Sequence, residues 1–219
     1  MRVESIVLAT GQTVDVIDSA EIVRLAGVVL LHGFGTSERV SLRSLGASLA
    51  ERGIVGVVPD WHPTAAGDSV SAALDRADDV FDRLGIEPEV RVVVGYSAGG
   101  RVALGLTIDA GARFARCVAV ASSAFDIAAE SEIDAERQVR VLLVHGDADE
   151  VRPLSVSEQL GSGLANAGIE ARVVAIAGGT HANVVCAAFE PGLQLSNPAP
   201  DLTDPMHASV EAIARFVLT

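Results

Sequence analysis

The amino-acid sequence predicts an α/β fold in which a mostly parallel central sheet carries helices on both faces. Short continuous apolar runs, such as LAGVVLL at 25–31, alternate with longer amphipathic stretches, and this alternation is typical of βα units. Hydrophobic residues make up 49% of the chain and aromatic residues only 4%, which suits valine-rich strands covered by alanine-rich helices. The length of 219 residues fits one domain, predicted to span residues 1–219.

The individual elements follow from hydrophobic periodicity and turn signals. The first two apolar runs are separated only by Thr10-Gly11-Gln12, which predicts a hairpin and therefore an antiparallel edge. The proline-containing stretch 182–204 is interpreted as a helix followed by a surface loop. Predicted strands occupy 4–9, 13–17, 25–31, 54–58, 90–94, 117–121, 139–144 and 171–176, and predicted helices occupy 37–52, 69–84, 98–110, 153–167 and 205–218.

Charge and cysteine content argue against several classes of function. The formal net charge is −13, from 16 basic and 29 acidic residues, whereas nucleic-acid and anionic-membrane partners require clustered Lys and Arg. No apolar run approaches the roughly 18 residues that span a bilayer, and the N-terminus lacks a signal-peptide core, so a cytoplasmic protein is expected. Cys117 and Cys186 form neither a disulfide framework nor a metal-binding spacing, and we expect no metal and no cofactor.

The segment Gly95-Tyr96-Ser97-Ala98-Gly99 matches the pattern G-x-S-x-G. It lies between the apolar run 90–94 and a predicted helix, which is the strand–turn–helix position that a nucleophilic serine requires. Glycines on both sides let strand and helix pass closely, and the helix N-terminus favours developing negative charge. Ser97 is therefore the candidate nucleophile, with an ordinary helix N-cap as the alternative.

The chain resembles the α/β-hydrolases in four motifs and in their order along the sequence. Within that group it is similar to the compact dienelactone-hydrolase-like and serine esterase branches. The resemblance covers about residues 25–218 and implies an α/β-hydrolase fold. Dienelactone hydrolases carry cysteine at the position of Ser97, which argues against dienelactone itself as substrate. The motifs are His32-Gly33-Phe34-Gly35, Gly95-Tyr96-Ser97-Ala98-Gly99-Gly100, His145-Gly146-Asp147-Ala148-Asp149 and Gly178-Gly179-Thr180-His181.

A nucleophilic serine needs a hydrogen-bonded base, usually histidine, that a third group orients. In α/β-hydrolases the order along the chain is Ser, then Asp or Glu, then His, which excludes His32 and His62. His181 follows a predicted strand through a glycine turn, so it is expected at the carboxyl edge of the sheet, where ligands bind. His207, in the first turn of the last predicted helix, is the weaker alternative, and His145 is expected to serve packing or a turn hydrogen bond.

Three acidic residues, Asp147, Asp149 and Glu150, follow the predicted strand 139–144. The resemblance selects Asp149 as the catalytic acid, while Asp147 is expected to brace the loop through backbone amides. A calcium or magnesium site at these acids would need further ligands at spacings that the sequence lacks.

The oxyanion hole needs two N–H donors. The turn at Ser97 supplies that of Ala98, and the resemblance selects that of Phe34 as the second. The interval 122–138 is too short for a helical cap, so minimal or no cap is predicted, which favours small or medium acyl chains. Core packing is an alternative role for Trp61. The residues expected to line the mouth of the pocket are Phe34, Trp61, His62, Tyr96 and Phe125.

The sequence thus predicts a serine hydrolase that cleaves a small-molecule carboxylic ester through an acyl-enzyme at Ser97. The same three residues could instead cleave a thioester, lactone or amide. A non-catalytic homologue that binds a small molecule is a further alternative, because fold resemblance alone does not separate these functions. The sequence carries no signal of the oligomeric state.

Overall fold

The computed structural model describes residues 2–9, 11, 13–34, 38–61, 68–109, 112–122, 125, 138–190 and 195–219. The strands are β1 (Arg2–Val7), β2 (Thr13–Asp18), β3 (Ala26–Leu31), β4 (Ile54–Pro59), β5 (Arg91–Tyr96), β6 (Arg116–Val120), β7 (Arg140–Gly146), β8 (Glu170–Ile176), β9 (Ala187–Glu190) and β10 (Leu195–Pro198). The α-helices are α1 (Arg43–Ala50), α2 (Asp68–Leu84), α3 (Ala98–Ile108), α4 (Ser155–Asn166) and α5 (Asp204–Val217).

Strands β1 to β8 form one sheet in the order β1-β2-β4-β3-β5-β6-β7-β8. The pairs β1–β2 and β2–β4 are antiparallel, whereas the other neighbouring pairs of this sheet are parallel. The predicted hairpin edge and the mostly parallel sheet are therefore confirmed. Because β3 to β8 run in one direction, their carboxyl ends meet at the same edge of the sheet, where ligands bind in open α/β folds.

Two apolar cores lie on opposite faces of the sheet, each under its own helices. Val92 and Val94 of β5 belong to one core and Val93 to the other, because successive side chains of a strand point to opposite faces. One core contains Leu45 of α1 and Ile213 of α5. The other contains apolar residues of α2, α3 and α4. Burial on both faces explains why the central strands are continuous apolar runs in the sequence.

The stretch 182–204 differs from its prediction as a helix and a loop. Asn183–Val185 forms a single 3₁₀ turn, and β9 and β10 then form a separate two-stranded antiparallel sheet. Cys186 adopts a left-handed conformation with φ of 58°, which ends the turn and redirects the chain into β9. The prediction of a helix was wrong because the backbone at Cys186 ends the helical turn after three residues.

The predicted helix 37–52 is divided in the structure. Glu38–Leu42 is a 3₁₀ helix, and α1 begins only at Arg43. The hydroxyl of Ser41 donates to the carbonyl of Glu38 at 2.6 Å, which supports the tighter turn. The predicted cap at Ser37 lies outside the described residues. Among the described helices, none has the length and hydrophobicity needed to cross a membrane.

Candidate active site

Ser97 occupies the sharp turn between β5 and α3. Its φ of 52° and ψ of −114° lie in a region that non-glycine residues rarely adopt, so the backbone is strained at Ser97. The amide of Ser97 donates to the carbonyl of Val120 at 2.9 Å, and its carbonyl accepts from Gly100 at 3.1 Å. These bonds hold the strained turn and leave the Ser97 side chain at the carboxyl edge of the sheet.

Glycines around Ser97 are required by close backbone contacts. A Cβ at Gly95 would lie 2.1 Å from the carbonyl oxygen of Gly99, and a Cβ at Gly99 would lie 2.3 Å from that of Leu31. Both distances are too short for any side chain. The pattern G-x-S-x-G therefore has a steric basis here: α3 must pass against β5 and β3 to bring its N-terminus to Ser97.

The structure brings Ser97, His181 and Asp149 into one hydrogen-bonded path. His181 Nε2 lies 3.2 Å from Ser97 Oγ, and His181 Nδ1 lies 2.8 Å from Asp149 Oδ2. Because a carboxylate only accepts, Nδ1 carries the hydrogen and Nε2 is free to accept the proton of the serine. His207, the alternative base, is an exposed residue of α5.

The loop after β7 holds Asp149 rigidly. The Asp149 side chain is fully buried, and its Oδ1 accepts hydrogen bonds from the amides of Val151 and Arg152, both at 2.8 Å. These bonds leave Oδ2 directed to His181. The two amides and the imidazole thus provide hydrogen-bond donors to both oxygens of this buried side chain.

His145, the last residue of β7 with a side chain, makes hydrogen bonds that stabilise the loop containing Asp149. Its Nε2 donates to the carbonyl of Arg152 at 3.0 Å and lies 3.2 Å from Asp149 Oδ2. Its Nδ1 accepts from the hydroxyl of Ser157 at 2.8 Å. His145 thus makes the turn hydrogen bond expected from the sequence. Its approach to Asp149 had no sequence signal, since it depends on the fold of the loop.

The loop that carries His181 packs against the end of β7. A Cβ at Gly146 would lie 2.0 Å from the carbonyl oxygen of Gly179, so the two loops are in backbone contact. Asp147 Oδ1 accepts from the amide of Gly178 at 2.7 Å, which is the bracing role expected for it. The aspartate and the histidine are therefore held at a fixed separation.

The loop after β3 reaches the same edge. His32, fully buried, donates from Nδ1 to the carbonyl of Gly33 at 3.0 Å. A Cβ at Gly33 would lie 3.4 Å from Ser97 Cβ, so this backbone packs directly against the serine. The next residue is Phe34, and Ala98 is the first residue of α3, whose N–H has no acceptor within the helix. Phe34 lines the same cleft as Ser97, and Ala98 follows Ser97 directly in the chain, so the two residues predicted to supply oxyanion donors lie near the serine.

A cleft of about 660 Å³ opens over Ser97 and His181. Of the residues expected to line it, Phe34 and Tyr96 do so; the Tyr96 ring lies 5.2 Å from that of His181. Glu38 also lines the cleft, and burial raises the pKa of its carboxyl group. The described lining residues are Gly33, Phe34, Glu38, Tyr96, Ser97, Val151, Arg152, Thr180, His181, Ala182, Asn183, Ala187, Ala188 and Met206.

Two other predicted lining residues pack elsewhere. Trp61 is only 4% exposed and lies in the core under α2 and α3, with its ring 5.5 Å from that of His32. Phe125 packs against the same core. The expectation that they line the cleft is corrected accordingly: Trp61 is a core residue, the alternative role considered for it, and Phe125 is partly buried against the same core. His62 lies outside the described residues.

The structure adds lining residues that the sequence analysis missed. Ala182, Ala187 and Ala188 come from the 3₁₀ turn and β9, and Met206 comes from the first turn of α5. No local pattern marks these residues, because the chain brings them to the cleft only through the unpredicted β9–β10 hairpin and the packing of α5.

The described part of the chain holds neither a cluster of metal ligands nor an exposed thiol. Within the described residues, no three His, Cys, Asp or Glu side chains cluster in a way that could hold a metal ion. Cys117 and Cys186 are buried, and burial raises the pKa of each thiol to about 12. Neither thiol is ionised near neutral pH, so neither is an activated nucleophile.

The strained serine turn and the parallel sheet with its carboxyl-edge site define the class of α/β-hydrolases. The sequence model described as the alpha/beta hydrolase family matches residues 28–204, and the chain belongs to this family. The finer likeness to dienelactone hydrolases has no specific support in these matches. No curated protein matches the sequence significantly.

Solved structures extend the likeness over the whole fold. Esterase 2 of Thermogutta terrifontis, phosphorylated by paraoxon, superposes with a TM-score of 0.72 at 15% identity over 99% of this chain and 93% of that chain. Its butyrate-bound structure gives the same values. MGS-M1, an alpha/beta hydrolase enzyme from a Medee basin deep-sea metagenome library, has a TM-score of 0.65 at 18% identity over 85% of this chain and 87% of that chain. At such identities the likeness establishes the fold.

Proposed function

We propose that this protein is a serine esterase that hydrolyses carboxylic esters of small or medium acyl chains through an acyl-enzyme at Ser97. The observation that carries the proposal is the hydrogen-bonded path from Ser97 Oγ through His181 to Asp149, with steps of 3.2 and 2.8 Å. Its position in a cleft beside two candidate oxyanion donors supports acyl transfer over a structural role for these polar groups.

In the first half-reaction, His181 Nε2 accepts the proton of Ser97 as Oγ bonds to the ester carbonyl carbon. The amides of Phe34 and Ala98 donate hydrogen bonds to the oxyanion, and Asp149 stabilises the imidazolium that forms. The bond to the alcohol oxygen then breaks. His181 delivers its proton to that oxygen, the alcohol leaves, and the acyl group stays on Ser97.

Water completes the second half-reaction. His181 Nε2 takes a proton from the water as its oxygen attacks the acyl carbonyl carbon, and the same two amides hold the new oxyanion. The bond to Ser97 Oγ then breaks, and His181 returns the proton to the serine. The carboxylic acid leaves, and the enzyme regains its initial protonation state.

The preference for shorter acyl chains rests on the size and lining of the cleft. About 660 Å³ accommodates a small molecule, and apolar groups of Val151, Ala182, Ala187 and Met206 suit an acyl chain. Structures of the similar Thermogutta terrifontis esterase are described as butyrate bound and propionate bound, which supports the same size range.

Hydrolysis of a p-nitrophenyl ester series from acetate to decanoate tests the proposal. We expect turnover with an optimum among the shorter esters and a loss on the order of 10⁴-fold in Ser97→Ala, because the remaining groups cannot replace the nucleophile. Ser162→Ala is the matched control, since Ser162 lies on α4 and donates only to the carbonyl of Glu158. Retained activity in Ser97→Ala, or no cleavage by folded wild-type protein, would contradict the proposal.

A further inference from the structure

Arg152 is one of three described arginines whose Nε is buried without a hydrogen-bond partner, and it differs from the other two in its surroundings. It lines the cleft that contains Ser97 and His181, and its Nε is buried without a hydrogen-bond partner. Among the described residues, Nε of Arg39 and Nε of Arg76 are also buried and unbonded. Those two guanidinium groups form ion pairs with aspartates, whereas no described carboxylate lies within ion-pair distance of Arg152. A partly desolvated cation in a binding cleft without a counter-ion favours an anionic ligand.

The backbone of Arg152 is fixed to the catalytic loop. Its amide donates to Asp149 Oδ1 at 2.8 Å, and its carbonyl accepts from His145 Nε2 at 3.0 Å. The start of the Arg152 side chain therefore keeps a constant position relative to the Asp149–His181 pair. A ligand group held by this side chain would be held in register with Ser97, which is the geometric requirement for positioning a substrate.

We propose that Arg152 binds a carboxylate of the substrate, so that the preferred substrates are esters that carry a second, ionised carboxyl group. This inference rests on the proposed esterase function and names its substrate class. A guanidinium group matches a carboxylate through two parallel N–H···O bonds. Arg152 is the one cation among the described lining residues, which fits the single charge of a carboxylate better than a doubly charged phosphate monoester.

The other charges of the protein are mostly negative and oppose an anionic substrate. Binding of such a substrate must therefore depend on the direct contact between Arg152 and its carboxylate. The net charge is −13, and the carboxyl group of Glu38 lines the same cleft. At physiological ionic strength, exposed charges beyond about 8 Å are largely screened, whereas a direct guanidinium–carboxylate contact is not. Among the described lining residues, Glu38 is the one that carries a carboxyl group, so its neutralisation should strengthen carboxylate binding.

Two matched substrate pairs test the proposal by kcat/KM for release of the phenol. In the first pair, mono-p-nitrophenyl glutarate carries a free carboxylate on its acyl group, and its methyl ester is uncharged. In the second pair, 4-acetoxybenzoate carries a carboxylate on the phenol that leaves, and its methyl ester is uncharged. We expect wild-type protein to prefer the charged member of at least one pair by tenfold or more. Arg152→Gln should lower that preference at least tenfold, and Glu38→Gln should raise it.

Arg172→Gln is the matched control, because Arg172 is an exposed arginine of β8 and its removal changes the net charge equally. Its preference should stay within twofold of wild type. The proposal is overturned if wild-type protein does not favour the charged member of either pair, or if Arg152→Gln keeps the wild-type preference.

Direct binding separates failure of this inference from failure of the esterase proposal. If folded wild-type protein cleaves none of the esters, the esterase proposal fails, and calorimetric titration with glutarate still measures the carboxylate site. Saturable binding that weakens at least tenfold in Arg152→Gln supports the site. Absence of glutarate binding to wild-type protein, or equal binding by both proteins, rejects it.

Discussion

Two aspartates with fully buried side chains, Asp149 and Asp15, lie in different parts of the fold and have different partners. Asp149 follows β7 and accepts from two backbone amides and from His181. Asp15 lies in β2 and accepts from the Ser5 hydroxyl at 2.6 Å and from Arg43 at 2.8 Å, with Arg39 Nε at 3.4 Å.

The partners decide what each carboxylate can do. Arginine does not lose its proton in proteins, so the charge of Asp15 is cancelled permanently and the cluster joins β2 to the 3₁₀ helix and α1. An imidazole can accept a proton from a reacting hydroxyl group, so in the proposed mechanism Asp149 faces a partner whose charge changes during the reaction. The same kind of buried side chain therefore stabilises the fold in one place and, in the proposed mechanism, orients a base in the other.

The largest expected effect is that of Asp149→Asn on turnover. An amide cannot enforce the tautomer that leaves His181 Nε2 free to accept a proton, so kcat should fall on the order of 10⁴-fold. Steady-state hydrolysis of p-nitrophenyl butyrate, with circular dichroism to verify folding, measures this. A fall of less than tenfold in a folded variant would show that Asp149 is not the orienting acid.

Asp15→Asn should act on stability instead of turnover. Removing the carboxylate leaves Arg43 without its buried partner, while Arg39 keeps its ion pair with Asp60. The cost should therefore lie near the lower end of the range for broken buried pairs, about 3 kcal/mol. Urea unfolding measures the loss, and kcat per folded molecule should stay unchanged. Asp18→Asn is the control on the same strand: its pair with Arg24 is more exposed, so its loss should cost at most about 1 kcal/mol. Equal effects of both variants would contradict the assigned role.

His145 sharpens the comparison, because it supports Asp149 without touching Ser97. His145→Leu removes the N–H that the Arg152 carbonyl accepts, and the loosened loop should lower kcat about tenfold with little change in KM. His145→Gln retains an N–H donor and should restore part of the rate. An unchanged kcat in His145→Leu would mean that Asp149 keeps its position without this hydrogen bond.

The smallest expected effect concerns how the free energy of unfolding changes at acidic pH. Burial by itself would raise the pKa of Asp15, but hydrogen bonds from Arg43 and Ser5, with the charge of Arg39, lower it below 3.8. A carboxyl whose pKa is lower in the folded state stabilises above its unfolded pKa, and this contribution is lost as the pH falls through the folded value. The difference in unfolding free energy between wild type and Asp15→Asn should therefore be constant from pH 7 to 5 and decrease below pH 3.8.

Most of the sheet could be predicted from the sequence because its strands are buried on both faces. The runs at β3, β4 and β5 are apolar almost without interruption, and the glycine pattern around Ser97 follows from contacts within one strand–turn–helix unit. Prediction failed at 182–204, where a left-handed Cys186 and the β9–β10 pairing replace the expected helix. Such pairing depends on contacts that local periodicity does not encode.

The sequence by itself determined the α/β class, the hairpin edge and the order in which Ser97, Asp149 and His181 occur, because these follow from local hydrophobic patterns and motifs. Only the tertiary structure decided that Trp61 is buried away from the cleft and that His145 approaches Asp149. It also decided that Arg152 lines the cleft with no described carboxylate within ion-pair distance of its guanidinium group. The physical reason is that partners and burial depend on residues far apart in the chain, which meet only when the sheet, its loops and its helices pack together.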